Sequence, residues 1–194
     1  MDADVRVRRP VWEAIAKVNP TFVVYSAGVT ALDWLDNVAY MDFKRLMDIN
    51  TYGFINVMQG LLDADATHPT VSRSVVAITS DAAWRPMRTS LAYCASKAAL
   101  EMAVRVAARE LAPIGWKVNA VAPGKVADTP MTEYVDKRVL ELRNWTQEDA
   151  EQRELASSAL GRKVDAAEVA EVVVSTLLGP LAQTGVVIPV NGGR

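Results

Sequence analysis

A doubly wound α/β fold is what this sequence predicts, and three observations predict it. Short apolar runs alternate with longer helical patterns along the chain. The short runs are nearly continuous in apolar residues, as strands of a parallel sheet buried on both faces must be. Two of them stop at Pro-Gly or Asn-Gly-Gly, the residues that end a strand in a turn. Strand and helix in strict alternation imply helices layered on a parallel sheet.

The strands come in order. Thr21 to Ser26 is β-branched and aromatic and runs into Ala27-Gly28. Val75 to Thr79 is a second strand, ending at Ser80. Trp116 to Ala122 is a third, halted by Pro123-Gly124. Val186 to Val190 is a fourth, halted by Asn191-Gly192-Gly193.

Helices fill the gaps. Pro10 to Val18 is short and ends at Asn19-Pro20. Phe43 to Leu62 is long, with a mixed pattern and two internal glycines, Gly53 and Gly60. Ser90 to Leu111 is rich in Ala and Leu nearly all round, which predicts burial, here or in a subunit interface. Asp165 to Glu168 opens a last helix, to Leu178, with a capping-box pattern. The stretch 129–159 differs: it is crowded with charge, and its apolar residues are sparse. It reads as one or two amphipathic helices lying over the body, either a lid or a solvated surface pair. No repeat, low-complexity stretch or linker divides the chain, so residues 1–194 are expected to form one domain.

Composition excludes several function classes. The chain has 194 residues, 51% hydrophobic and 23% charged, enough for a real core. A formal net charge of -2 gives no basic footprint for nucleic acid. No apolar run reaches the roughly 18 residues of a membrane span. The single cysteine, Cys94, excludes an internal disulfide and fits a reducing compartment. The charged start to Pro10 lacks a signal-peptide hydrophobic region, so a cytoplasmic location is expected. No His, Cys and Asp cluster has metal-ligand spacing, and none is expected to bind metal. His68, beside Pro69, reads as a loop residue. Cys94 reads as a small buried helix residue, and Trp84, Trp116 and Trp145 as packing. Trp84 and Met87 lie between Ser80 and Tyr93, where a second reading has them line a substrate pocket.

Chemistry concentrates around Tyr93-Cys94-Ala95-Ser96-Lys97. Tyr and Lys at i and i+4 share one helix face. A cation held there favours the phenolate and lowers the phenol pKa from its usual value of about 10. Tyr93 then becomes an acid/base near neutral pH. Ser80, thirteen positions upstream at a strand end, supplies a hydroxyl to hold a carbonyl oxygen.

With these residues in place, the chain resembles the short-chain dehydrogenase/reductase family from about Pro10 to Gly193. Ser80, Tyr93 and Lys97 match its catalytic set, and Asn50 falls where its catalytic helix carries an Asn. Ser26-Ala27-Gly28 sits where the family has Asn-Asn-Ala-Gly. Asn119 to Gly124, Leu160 to Arg162 with Asp165 to Ala170, and Thr184 to Gly193 match later motifs in the family's order.

The resemblance implies a Rossmann-type fold and hydride transfer between NAD or NADP and a small-molecule carbonyl or alcohol. It implies that Tyr93 exchanges the substrate proton and Ser80 orients the substrate oxygen. Lys97 would tune Tyr93 and hold the nicotinamide ribose. Asn50 would hold a relay water joining Lys97 to solvent. Ala27, Gly28, Pro123, Gly124, Val126 and Thr129 would flank the cofactor. It also implies a homodimer or homotetramer built on the helices from Asn50 and Ser90, with no nucleic-acid or membrane partner.

The sequence departs from the family at its front. A Thr-Gly-x-x-x-Gly-x-Gly turn within a first βαβ unit normally cradles the cofactor pyrophosphate. Here the first glycine is Gly28. Asp2 or Asp4 stands where relatives carry an acidic residue at the adenine. A sheet without its first βαβ unit is expected to expose an apolar edge, and cofactor binding to be weakened or lost. The alternative function is therefore a catalytically idle relative acting as an oligomeric binding or assembly protein, or one part of a two-chain enzyme. Three smaller departures remain. Tyr25 and Ser26 replace an Asn pair that supports the catalytic helix. The Pro123-to-Thr129 loop is one residue long for the family, which would carry Thr129 past the cofactor carboxamide. Asn191 stands where Asp is commoner.

Overall fold

The computed structural model describes residues 2–67 and 72–194, so His68 and Pro69 lie outside the described residues. The described strands are β1 (Phe22–Tyr25), β2 (Ser74–Ile78), β3 (Lys117–Pro123) and β4 (Val187–Val190). They form one parallel sheet in the order β1-β2-β3-β4. The helices are α1 (Arg8–Val18), α2 (Tyr40–Met47), α3 (Gly53–Thr67), α4 (Leu91–Leu111), α5 (Pro130–Arg143), α6 (Gln147–Ala156) and α7 (Ala166–Leu178). This is the expected α/β architecture, and each predicted strand is found within a residue or so of its bounds.

The sheet is most buried at its centre. All seven residues of β3 are buried, which explains the unbroken apolar run from Val118 to Ala122 around one polar residue, Asn119. Asn119 is tolerated there because both ends of its carboxamide are used. Its Nδ2 donates to the Gln183 carbonyl at 2.6 Å, and its Oδ1 accepts from Val186 N at 3.0 Å. Those bonds dock the approach to β4. On one face α3 and α4 cover a core of Phe54, Leu61, Leu100, Val104 and Trp116. On the other, α7 packs Val173 against Val76 and Val121. Lys117 Nζ, at the start of β3, donates to the carbonyls of Leu177 and Gly179 and so caps the C-terminal end of α7.

The β1 edge is the opposite case. Among the described residues it pairs only with β2, and Phe22 and Val24 are 54% and 45% exposed. The apolar edge expected from the sequence is present.

The mixed pattern over 43–62 has a structural cause. α2 and α3 form one helical rod interrupted by a π-helical turn at Asp48–Tyr52. The extra residue rotates everything after it, so the apolar stripe of α2 does not continue in phase into α3. The side chain that supports this turn is Tyr25, at the end of β1. Its hydroxyl donates to the Ile49 carbonyl within the turn. A Cβ on Gly53 would collide with that same hydroxyl, so the glycine makes room for the phenol. Tyr25 replaces the family's Asn and was expected to weaken this support; it supplies a bond of its own.

Candidate active site

The carboxyl ends of β1, β2 and β3 and the loops after them open onto a cleft of about 580 Å³. Ligands bind in this place in open parallel sheets. β1 contributes Ser26 and Gly28, β2 contributes Ser80, and β3 contributes Pro123 and Gly124. Tyr93 and Lys97 reach in from the first turns of α4, while α5 and α6 form the outer wall.

The structure brings the sequence-predicted set together. Ser80 is buried and leads into a short 3₁₀ turn over Asp81–Ala83, where its Oγ accepts from Ala82 N at 3.2 Å. It also hydrogen-bonds the Tyr93 phenol, which favours the phenolate. Burial outweighs that bond and pushes the Tyr93 pKa up to about 12. Lys97 is 4% exposed, and burial pulls its pKa down to about 8. Its Nζ donates to the Ile78 carbonyl at 2.9 Å and lies 5.8 Å from the Tyr93 ring centroid.

This corrects one expectation. Lys97 does not depress the Tyr93 pKa here. Its ammonium lies toward the ring and the end of β2, and burial opposes the charged form of both groups. Tyr93 is therefore protonated across the neutral range.

Asn50 is fully buried in the π turn. Its Nδ2 donates to the Val29 carbonyl and to Ser96 Oγ, each at 2.9 Å, and its Oδ1 accepts from Val29 N at 2.8 Å. It therefore clamps the loop after β1 to α4. Both amide hydrogens are spent, which leaves one Oδ1 lone pair for a relay water. A Cβ on Gly28 would stand 3.4 Å from Lys97 Nζ and 3.5 Å from Asn50 Oδ1. Gly28 thus keeps open a space that both groups flank.

Pro123, Gly124, Val126 and Thr129 all line the cleft, and Ala27 packs on the core beneath it. The loop after β3 is zipped to the segment before α7: Ala127 N donates to Val164 O at 2.9 Å, and Val164 N to Lys125 O at 3.1 Å. Its additional residue is absorbed by a left-handed turn at Asp128 (φ 50°). Thr129 then caps α5, its Oγ1 accepting from Thr132 N at 3.1 Å.

Met87 lines the cleft, whereas Trp84 is exposed and does not. Cys94, expected to be buried, is partly exposed. Trp116 is fully buried packing, as read, whereas Trp145 faces the cleft. Sequence reasoning also missed an ion-pair chain across the wall. Arg194 pairs with Glu154, Glu154 with Lys125 at 3.5 Å, Lys125 with Asp136, and Asp136 with Lys163 at 3.0 Å. Among the described residues no cluster has the donors for a metal ion, and no helix is long and apolar enough to cross a membrane.

A parallel sheet with a buried Ser and Lys and a half-buried Tyr at its carboxyl edge is the arrangement of a dehydrogenase-type α/β protein. A family model described as enoyl-(acyl carrier protein) reductase matches residues 2–194, and the chain belongs to the short-chain dehydrogenase/reductase family. It is 30% identical over 172 residues to L-xylulose reductase of Caenorhabditis elegans, covering 88% of this chain and 64% of that protein. The chain thus spans less than two thirds of the length of that relative. Among solved structures, NAD+-bound xylitol dehydrogenase matches with a TM-score of 0.90 at 26% identity, covering 98% of this chain and 77% of that one. An actinorhodin polyketide ketoreductase with NADPH matches with a TM-score of 0.88 at 29% identity, covering 98% and 75%.

Proposed function

We propose that this chain carries the reacting half of an oxidoreductase that interconverts a small-molecule carbonyl and an alcohol with a nicotinamide cofactor. The observation that carries the reading is the convergence of Ser80, Tyr93 and Lys97 on one cleft at the carboxyl edge of the sheet. Its relatives point the same way: a reductase is similar in sequence, and NAD+- and NADPH-bound enzymes are similar in structure.

The residues fit the nicotinamide end of such a cofactor. Pro123, Gly124 and Val126 offer an apolar loop, and the space over Gly28 lies beside Lys97. A bound nicotinamide supplies or accepts the hydride. Ser80 hydrogen-bonds the substrate oxygen and holds it beside the Tyr93 hydroxyl. Tyr93, protonated at neutral pH, donates its proton to that oxygen in the reductive direction. Lys97 places a positive charge near the phenolate that forms and so offsets its cost in a buried site. A water over Gly28, between Lys97 Nζ and Asn50 Oδ1, returns the proton. α5 and α6 act as a lid that excludes solvent. Exposed Tyr52 in the π turn, Ile55 and Leu62 on α3, and Met102 and Val106 on α4 support burial of these helices between subunits.

The experiment is a titration of the purified chain with NADH and NADPH, followed by hydride transfer to a panel of carbonyl compounds. Cofactor binding with turnover that falls about 10²- to 10⁴-fold in Tyr93→Phe supports the reading. Turnover unchanged in Tyr93→Phe, or no nicotinamide binding at all, overturns it.

A further inference from the structure

The charges on the cleft wall are not balanced. Three carboxylates line it, and each is already paired: Asp81 with Arg85, Asp136 with Lys125 and Lys163, and Glu154 with Lys125 and Arg194. Arg88, Arg143 and Arg153 also line it, and among the described residues none of the three forms an ion pair with a carboxylate. They are held by neutral groups instead. Arg143 Nη2 donates to the Arg88 carbonyl at 2.5 Å and to Thr89 Oγ1 at 3.2 Å. The Arg143 and Arg153 guanidiniums stack on one indole, with Cζ at 4.9 and 4.7 Å from the Trp145 ring centroid. Arg88 lies over Trp34 at 5.1 Å.

Arg88 and Arg153 are exposed, but the half-buried Arg143 is costly without a counter-ion. Arg143 Nε is buried and donates to nothing, and an unmade bond from a buried donor forfeits its hydration. Arg143 and Arg88 also repel: burial and the Arg88 charge both press the Arg143 guanidinium toward losing its proton. Stacking on Trp145 fixes the planes of two guanidiniums without using their donors. Arg143 keeps only Nη1 free, since Nη2 is spent and Nε is buried, whereas the exposed Arg153 keeps a planar fork that suits the paired oxygens of a carboxylate or phosphate.

We infer that Arg143 and Arg153, stacked on Trp145 with Arg88 beside them, form an anion subsite for a carboxylate or phosphate carried by the substrate. The inference rests on the oxidoreductase reading, since that reading places the reacting carbonyl of the same molecule at Ser80 and Tyr93. The substrate is then an oxo or hydroxy compound with an anionic group away from the reacting carbon. Neutral polyols and simple ketones lack that group and leave Arg143 uncompensated.

Trp145 reports on its own site. Its emission is followed in the purified chain, without nicotinamide, as inorganic phosphate or glutarate is added, with sodium chloride at matched ionic strength as reference. Trp145→Phe identifies the signal. A saturable change with phosphate alone assigns a phosphomonoester, with glutarate alone a carboxylate, and with both either group. Arg143→Gln and Arg153→Gln each weaken the response about tenfold, the loss of one charge-assisted contact. Arg153 is exposed, so its variant remains informative if Arg143→Gln fails to fold. No response beyond sodium chloride overturns the subsite, and so does a response that survives Arg153→Gln at full strength. Tyr93→Phe leaves the anion response in place. A response in a chain that transfers no hydride therefore sinks the catalytic reading and keeps the subsite.

Discussion

The carboxyl edge of the sheet and the α5–α6 wall face each other across one cleft, yet they are held by different forces. The edge is dry. β3 is buried throughout, Asn50 has no exposed surface, and the polar groups there are used in short bonds to backbone. The wall is charged. Its contacts are ion pairs and cation–π stacks among residues that keep some access to water. A dry, hydrogen-bonded edge fixes reacting atoms to a fraction of an ångström. A screened, charged wall can open at low cost and can be retuned for a new substrate.

The comparison is sharpest where an edge residue is removed. Ser80→Ala removes the group proposed to orient the substrate oxygen and the contact that favours the Tyr93 phenolate. Steady-state kinetics should show kcat for carbonyl reduction falling about 10²-fold with little change in Tm. A loss confined to KM would place Ser80 in binding alone.

Tyr25→Phe comes next. It leaves the Ile49 carbonyl of the π turn without its donor and loosens the rod that carries Asn50. Denaturant unfolding should report a loss of about 1–3 kcal/mol, the cost of an orphaned buried acceptor. No loss would mean that the π turn stands without Tyr25.

On the wall the expected effect is smaller. Glu154→Gln uncouples Arg194 from Lys125. Global stability should fall by about 1–2 kcal/mol, more than for an exposed pair because Arg194, Glu154 and Lys125 are mostly buried, while amide exchange across α6 quickens. Equal loss of protection in β3 and α6 would erase the distinction between edge and wall.

Much of the edge was legible in the sequence, and the wall was not. The four strands follow from unbroken apolar runs that stop at turn residues. Tyr93 and Lys97 are neighbours by helical geometry alone, and Ser80 falls at the strand end beside them. The π turn left only a blurred periodicity over 43–62, because an inserted residue breaks the phase on which such readings depend. Tyr25 looked like a lost Asn because its partner, Ile49, lies across the fold. The pairing of Lys125, Glu154 and Arg194 joins three distant segments, and a charged surface helix shows no preferred partner in sequence. The same holds for Arg88 and Arg143, which meet only after α5 folds over the cleft. The Tyr93 pKa was misjudged because i,i+4 spacing gives proximity but neither burial nor the direction of an ammonium.

In the proposed reaction Tyr93 stays protonated, and the charge on Lys97 sets the upper pH limit of proton donation. Burial lowers the Lys97 pKa to about 8, well below the phenol at about 12. Lys97 is charged below the lower value and loses its charge as pH rises through it. The direct measurement is kcat/KM for carbonyl reduction against pH, in the native chain and in Lys97→Arg. A plateau below about pH 8, a fall above it, and a fall displaced beyond pH 10 by Lys97→Arg are predicted. A native profile that falls near pH 8 identically in Lys97→Arg, or that is flat to pH 10, would contradict it.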